Sequence, residues 1–150
     1  MTQTKNYIYL AGPWFNPRQL EILELTKNAL DEVPIKYYSP KDEMLYEPGK
    51  DIDPMEVLAT NVQAIRDAEV LVVITDGKDT GTMFEAGLAF ALQKQIFYLW
   101  VDHKPGDKFN LMLGASGVVC MDYVELQTAL EEHIIGCVYD TSIREDIDYE

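Results

Sequence analysis

Cysteine and histidine are scarce in this chain, and the common metal and cofactor motifs are missing. The 150 residues contain two cysteines and two histidines, with neither a CxxC pair nor an HExxH motif. Glycine patterns that bind dinucleotides or nucleotide phosphates, GxGxxG and GxxxxGK(S/T), are lacking too. We therefore predict no metal site and no cofactor, and we expect Cys120 and Cys137 to be reduced, buried thiols.

Basic residues are few, since 12 lysines and arginines stand against 26 aspartates and glutamates and give a formal net charge of −14 at pH 7. A field of that sign repels phosphate backbones and anionic lipid surfaces, so we expect no nucleic-acid partner and no membrane partner. A small uncharged substrate is not repelled in this way. No apolar run approaches the ~20 residues that span a bilayer. Because the polar amino terminus also does not resemble a signal peptide, we expect a cytoplasmic protein.

What is present is a regular alternation of strand-like and helix-like segments. Short apolar runs at residues 7–12, 35–38, 69–75, 96–101 and 117–121 predict five strands. Helical patterns occur at residues 17–33, 54–68, 109–113 and 123–135, and a further helix contains Glu85. This alternation predicts an α/β fold in which a parallel sheet has helices on both faces. We expect one domain, residues 1–150, whose acidic tail at 136–150 is either frayed or packed on the body or on a neighbouring subunit.

The segment from Asp79 to Gly87 places one acid in a loop and a second acid, Glu85, near the start of a helix. Open α/β sheets bind ligands at such loops, which lie at the carboxyl ends of the strands. Asp79 can be an ordinary helix cap and Glu85 an ordinary solvated side chain. Alternatively, Glu85 faces a cleft, because an unpaired carboxylate in a largely apolar helix is costly. If Glu85 lies in the first turn, the helix dipole keeps it ionised as a nucleophile, and Tyr9 can donate a hydrogen bond that orients it.

Carboxylate chemistry remains once metals, cofactors and a Gly-x-Ser-x-Gly nucleophile have been set aside. Two or three acids in a polar cleft suit substitution at an acetal-like carbon, where one acid protonates the leaving group and another attacks. Trp14 and Phe15 follow the turn at Gly12 and Pro13 and offer flat surfaces for a ring, although aromatic residues there are equally typical of a core. Residues 39–53 form a long loop, and loops of that length are often functional.

Three sequence blocks resemble the nucleoside 2-deoxyribosyltransferases. They are YLAGPWF at residues 9–15, DTGTMFEAG at residues 79–87 and FNLM at residues 109–112, and the likeness covers about residues 7–121. The resemblance implies one flavodoxin-like domain with a five-stranded parallel sheet in the order 2-1-3-4-5. It also implies nucleotide salvage by double displacement, in which a 2-deoxyribosyl group passes from one nucleobase to another.

The same resemblance assigns roles to residues of this chain. Glu85 corresponds to the nucleophile that forms a covalent deoxyribosyl ester, Tyr9 to the tyrosine that holds it, and Asp79 to an aspartate near the reacting sugar and base. Asn110 corresponds to an asparagine that reaches a sugar hydroxyl across a subunit boundary, and Tyr149 to a tyrosine near the carboxyl terminus that enters a neighbour's site. A homo-oligomer, either a dimer or a hexamer, with shared active sites is therefore implied. The substrate-binding residues predicted on this basis are Gly12, Trp14, Asp42, Asn61, Asn110, Met112 and Tyr149.

Two positions depart from the family pattern and leave alternatives open. Asn61 aligns with the aspartate that protonates the base, and an amide cannot supply that proton as a carboxylic acid does. Either Asp79, or an acid of the long loop such as Asp42, then has that role. Met44 aligns with a glutamine that reads the base in some members, so the base preference stays open. The same site also suits an N-glycoside hydrolase of nucleosides or deoxynucleoside monophosphates, or a non-catalytic nucleotide-binding module.

Overall fold

A parallel sheet of five strands forms the centre of the protein. The computed structural model describes residues 6–43, 51–137 and 143–150, and the predicted base-reading position Met44 lies outside them. Within these residues the strands are β1 (Tyr7–Ala11), β2 (Lys36–Tyr38), β3 (Val70–Ile74), β4 (Gln95–Leu99), β5 (Lys108–Phe109), β6 (Val118–Cys120) and β7 (Asp148–Tyr149). The central sheet has the order β2-β1-β3-β4-β6, and its neighbouring strands are all parallel.

The predicted α/β fold and strand order are confirmed, because β6 is the fifth strand of the central sheet by position. The chain passes from β1 outward to β2 and then returns to β3 on the other side of β1. The connections after β1 and β3 therefore leave in opposite directions. Such a switch in strand order opens a crevice at the carboxyl ends of the two strands, where open α/β sheets bind ligands.

Helices cover both faces of the sheet. One face carries α1 (Pro17–Asp31) and α5 (Tyr123–Ile134), and the other carries α2 (Pro54–Asp67) and α3 (Thr80–Ala91). Alternate residues of β3 enter the two cores, since Val70, Val72 and Ile74 face the first pair of helices and Leu71 and Val73 the second. In the part of the chain that is described, no helix is both long and apolar enough to cross a membrane.

Two local predictions were wrong. The helix predicted at residues 109–113 begins later, because Phe109 ends β5 and Asn110 caps the helix α4 (Leu111–Ser116) by accepting a hydrogen bond from the Leu113 N–H at 3.2 Å. Cys120 is buried in β6 as expected, but Cys137 is exposed, because it follows the end of α5 at the surface.

The described part of the tail, residues 143–150, packs on the body of the same chain. β7 pairs in parallel with β5 as a separate two-stranded sheet. Arg144 forms an ion pair with Glu125 at 2.6 Å, and the Tyr149 hydroxyl donates a hydrogen bond to the Arg144 carbonyl oxygen at 2.9 Å. The contact between the tail and a neighbouring subunit stays a prediction.

Candidate active site

A cavity of about 390 Å³ lies at the carboxyl ends of β1 and β2 and at the amino end of α3. This volume falls in the usual range of small-molecule sites. The turn after β1, the loop after β2, and the helices α2 and α3 form its walls. Five of the residues predicted from the sequence line it, namely Gly12, Trp14, Asn61, Asp79 and Glu85.

Glu85 and Tyr9 meet at the wall of this cavity. Tyr9 is completely buried in β1, and its hydroxyl donates a hydrogen bond to Oε2 of Glu85. Glu85 lies in the second turn of α3, which begins at Thr80. The pairing that the sequence predicts is therefore present, whereas the condition that Glu85 lies in the first turn of the helix is not met. The catalytic roles of both residues stay predictions.

Burial controls the ionisation of Glu85. It raises the pKa of the Glu85 carboxyl from 4.5 to about 7, the hydrogen bond from Tyr9 opposes this rise, and the negative charge of Asp79 adds to it. The expectation that the helix dipole keeps this group ionised assumed the first turn, and the dipole effect falls off beyond that turn. Near neutral pH the Glu85 carboxyl is therefore present in both protonation states.

Asp79 has two structural roles at once. Its Oδ2 accepts hydrogen bonds from the backbone N–H and from the hydroxyl of Thr82, both at 2.9 Å, so it caps α3. The residue also lines the cavity. Because both bonds use the same oxygen, Oδ1 is the atom that a ligand can contact.

The turn after β1 brings backbone close to the sheet. A side chain at Gly12 would place its Cβ 2.7 Å from Cδ1 of Ile74, so the close approach depends on glycine. Trp14 and Phe15 follow, with ring centroids 5.1 Å apart, and both line the cavity. Trp14 also packs against the core, whereas 68% of the Phe15 surface is exposed. The two alternatives for these aromatics, core and ligand surface, thus both apply to Trp14.

Four other predicted residues lie outside the lining of this cavity. Asp42 is exposed and pairs with Lys27 at 2.8 Å. Asn110 lines a second cavity of about 330 Å³, together with Trp100 and with Met83 of α3. The side chain of Met112 is exposed on α4, and Tyr149 packs against Gly114 and Phe109. Within one chain the structure therefore separates these residues from Glu85.

Sequence reasoning missed several residues of the cavity, of which Tyr38 is the most informative. Its ring stacks on that of Tyr9, with centroids 5.6 Å apart and an interplanar angle of 16°. The signal was available, because the predicted strand order makes β2 the neighbour of β1 and Tyr38 is the register partner of Tyr9. The other missed residues include Glu43, Val57, Thr60 and Thr82.

The charged groups of the cavity are all acidic in the part of the chain that the structure describes. Glu43, Asp79 and Glu85 line it, without a lysine or arginine among the described lining residues. Within the same residues, no group of three or more His, Cys, Asp or Glu side chains is arranged to hold a metal ion. The cavity thus offers hydrogen-bond acceptors and a carboxyl group as its reactive features.

A family model provides the identification. The model of the nucleoside 2-deoxyribosyltransferases matches residues 8–115. The chain belongs to the nucleoside 2-deoxyribosyltransferase family. The matched region contains every cavity-lining residue named above and also Asn110 and Met112, whereas Tyr149 lies beyond it.

Solved structures agree with this assignment. A 2-deoxyribosyltransferase from Bacillus psychrosaccharolyticus is 25% identical, with a TM-score of 0.69 over 83% of this chain and 95% of that one. A conserved protein from Enterococcus faecalis V583 is 18% identical, with a TM-score of 0.73 over 88% of this chain and 99% of that one. A CMP N-glycosidase from Clostridium botulinum is 16% identical, with a TM-score of 0.53 over 83% of this chain and 98% of that one. These last two show the fold alone. No curated protein matches the chain significantly. Together the findings support an enzyme with nucleoside 2-deoxyribosyltransferase-like activity.

Proposed function

We propose that this protein transfers a 2-deoxyribosyl group from one nucleobase to another by double displacement, with Glu85 as the nucleophile. The observation that carries this proposal is the Glu85 carboxyl at the cavity wall, held there by the buried Tyr9 hydroxyl. An acid in such a position can attack an anomeric carbon without a cofactor. The predicted roles of both residues are part of the proposal.

In the first half-reaction, an ionised Glu85 oxygen attacks C1′ of the deoxyribose and forms an ester bond to it. The C1′–N bond breaks, and its electron pair leaves with the base, which takes up a proton. Burial favours this attack because a poorly solvated carboxylate is a stronger nucleophile than one in water. In the second half-reaction, a nitrogen of another base attacks C1′ from the side that the first base left, opposite Glu85. This nitrogen loses a proton, and Glu85 is released unchanged.

Asp79 is the best placed donor for the proton that the leaving base takes up. It lines the same cavity as Glu85, and its Oδ1 atom is not used by the cap of α3. Asp42, the alternative from the sequence, is paired with Lys27 and does not line the cavity. Asn61 lines the cavity, but its amide can only position the base by hydrogen bonding.

The charges of the cavity favour nucleosides over nucleoside monophosphates as substrates. A phosphate group needs cationic or N–H donors, and the described lining residues carry three carboxylates and no cationic side chain. Hydrolysis of a monophosphate, as the name of the Clostridium botulinum enzyme indicates for its own substrate, fits this cavity poorly. Hydrolysis of a nucleoside needs only that water replaces the second base.

The separation of Asn110 from Glu85 fits a site that is completed by another subunit. Asn110, Met112 and Tyr149 lie away from the cavity of their own chain. Apolar side chains of α3 and α4 are exposed, including Phe84 of α3, at 59%, and Met112 of α4, at 77%. The proposal therefore includes a homo-oligomer in which one protomer supplies Asn110 to its partner's cavity.

Incubation with deoxyinosine and free adenine tests the reaction. We expect deoxyadenosine and hypoxanthine to appear together, followed by liquid chromatography. The variant Glu85→Gln should form neither product, whereas the exposed control Glu132→Gln should behave as wild type. Free deoxyribose without deoxyadenosine would show a hydrolase instead, and deoxyinosine that binds without reacting would show a binding module.

A further inference from the structure

Three tyrosines of β1 and β2 form a stack beside the candidate nucleophile. Tyr7 and Tyr9 point to the same face of β1, because they are two residues apart. The ring of Tyr38 in β2 lies against both: it is stacked on Tyr9, with centroids 5.6 Å apart, and tilted by 30° to Tyr7, with centroids 5.9 Å apart. The register of the two parallel strands pairs Tyr9 of β1 with Tyr38 of β2. The stack is therefore fixed by the sheet itself.

Both ends of the stack are attached to helices. The Tyr7 hydroxyl donates a hydrogen bond to the carbonyl oxygen of Ala64 in α2 at 2.6 Å. The Tyr9 hydroxyl donates to Glu85 in α3. Tyr38 lies between these two attachments, and it is the member of the stack that lines the cavity.

The position of the Tyr9 hydroxyl depends on how its ring is held. A hydrogen bond weakens steeply as its angle departs from linear, so a tilt of the ring weakens the bond to Glu85. Near-parallel offset rings such as those of Tyr9 and Tyr38 attract each other beyond the effect of buried area alone. Tyr38 lines the cavity, whereas Tyr9 is completely buried behind the lining residues.

We propose that Tyr38 is a positioning residue, whose ring holds Tyr9 so that the Tyr9 hydroxyl stays bonded to Glu85. The inference rests on the proposed function for its catalytic meaning, because it concerns the orientation and ionisation of the nucleophile. It assigns the effect to the ring of Tyr38 and not to its hydroxyl.

The groups that face Glu85 come from four elements. They are Tyr9 of β1, Tyr38 of β2 and Asp79 at the start of α3, with neutral Thr60 and Asn61 of α2 across the cavity. Glu43, in the loop after β2, acts on Tyr38. Of these, the Tyr9 hydrogen bond favours the ionised form of Glu85, and the charge of Asp79 opposes it. A change in how Tyr9 is held should therefore alter the Tyr9 contribution to the Glu85 pKa, which has to be separated from any change in burial.

A double-mutant cycle isolates that contribution. The pKa of Glu85 is measured by carbon NMR of its side-chain carboxyl, which is assigned with Glu85→Gln, in wild type and in Tyr9→Phe. The same pair is then measured in the Tyr38→Leu and Tyr38→Phe backgrounds. Differences within each background cancel the altered burial that Tyr38→Leu itself causes.

In the wild-type background, we expect Tyr9→Phe to raise the Glu85 pKa by about one unit. In the Tyr38→Phe background the rise should be the same, since the ring remains. In the Tyr38→Leu background it should fall below half of that value. The acidic limb of kcat/KM for base exchange should move by the same amounts, because only ionised Glu85 attacks.

An equal rise in the Glu85 pKa in all three backgrounds would overturn the proposal. A rise that is reduced as much by Tyr38→Phe as by Tyr38→Leu would also overturn it. If Tyr38→Leu does not fold, as judged by circular dichroism, Tyr38→Met takes its place in the cycle with the same expectations. The NMR readout does not require turnover. A wild-type protein that transfers no base would therefore count against the proposed function, while the cycle would still decide the role of Tyr38.

Discussion

Glu85→Gln should stabilise the protein by an amount that depends on pH. The folded protein holds the Glu85 proton up to a pKa of about 7, mainly because of burial, whereas the ordinary value of 4.5 applies to the unfolded chain. Between these two values the unfolded state has released a proton that the folded state retains. Wild-type stability therefore falls as the pH rises from 4.5 to about 7, and this contribution is constant above that range.

The size of the effect follows from the same shift. One pKa unit corresponds to ~1.4 kcal/mol, so the shift from 4.5 to about 7 lowers wild-type stability by about 3 kcal/mol at pH 8 and by about 1 kcal/mol at pH 5. Glutamine has nearly the same shape, cannot ionise, and can accept the hydrogen bond from Tyr9. We therefore expect Glu85→Gln to gain these amounts of unfolding free energy while it loses base exchange, as is common for residues of active sites.

Urea unfolding at pH 5 and pH 8, followed by tryptophan fluorescence, measures both gains. The exposed control Glu132→Gln should change stability by less than about 0.5 kcal/mol at either pH. A gain for Glu85→Gln that is the same at both pH values, or a loss of stability at pH 8, would refute the argument that burial raises the Glu85 pKa.

Four further substitutions, one of them a control, test other parts of the site. Gly12→Ala would place a Cβ 2.7 Å from Cδ1 of Ile74 and should cost about 1–3 kcal/mol in urea unfolding, whereas Gly87→Ala, whose Cβ meets no described atom within 4 Å, should gain up to about 1 kcal/mol. Asn110→Ser keeps a capping side chain for α4, so it should leave stability within about 0.5 kcal/mol but lower the rate of base exchange; a wild-type rate would remove Asn110 from the site. Asp79→Asn also keeps its helix cap but removes a negative charge, so the acidic limb of kcat/KM should move to lower pH while the maximal rate falls; an unmoved limb would contradict the coupling to the nucleophile.

The fold could be predicted because its signals are local and repeated. Continuous apolar runs such as Val70–Ile74 are typical of strands that are buried on both faces. Asn16 and Pro17 mark the start of α1 in the sequence, and the structure confirms this start with a bond from the Gln19 N–H to the Asn16 side chain at 2.9 Å. The pairing of Tyr9 with Glu85 followed from the family resemblance and from the placement of β1 beside β3.

Other features depend on contacts between distant residues, which no local pattern records. β5 and β7 have two residues each, too few for a periodicity, and they are defined only by pairing with each other. The ion pair between Asp42 and Lys27 likewise depends on how the loop after β2 returns to α1. The sequence shows that Glu85 is near a helix start, but it shows neither the turn in which Glu85 lies nor the burial that raises the pKa of its carboxyl.

Mass spectrometry of a trapped intermediate shows whether Glu85 is the nucleophile. A deoxyribonucleoside with fluorine at C2′ slows both the formation and the breakdown of the ester, because fluorine destabilises the oxocarbenium-like transition state of each step, and without an acceptor base the ester accumulates. After digestion, we expect the peptide containing Glu85 to carry the mass of one fluorinated pentosyl group. Adenine added to the intact protein before digestion should remove this group. An active protein whose adduct lies on another residue, or that turns over the natural substrate with no adduct at Glu85, would contradict it.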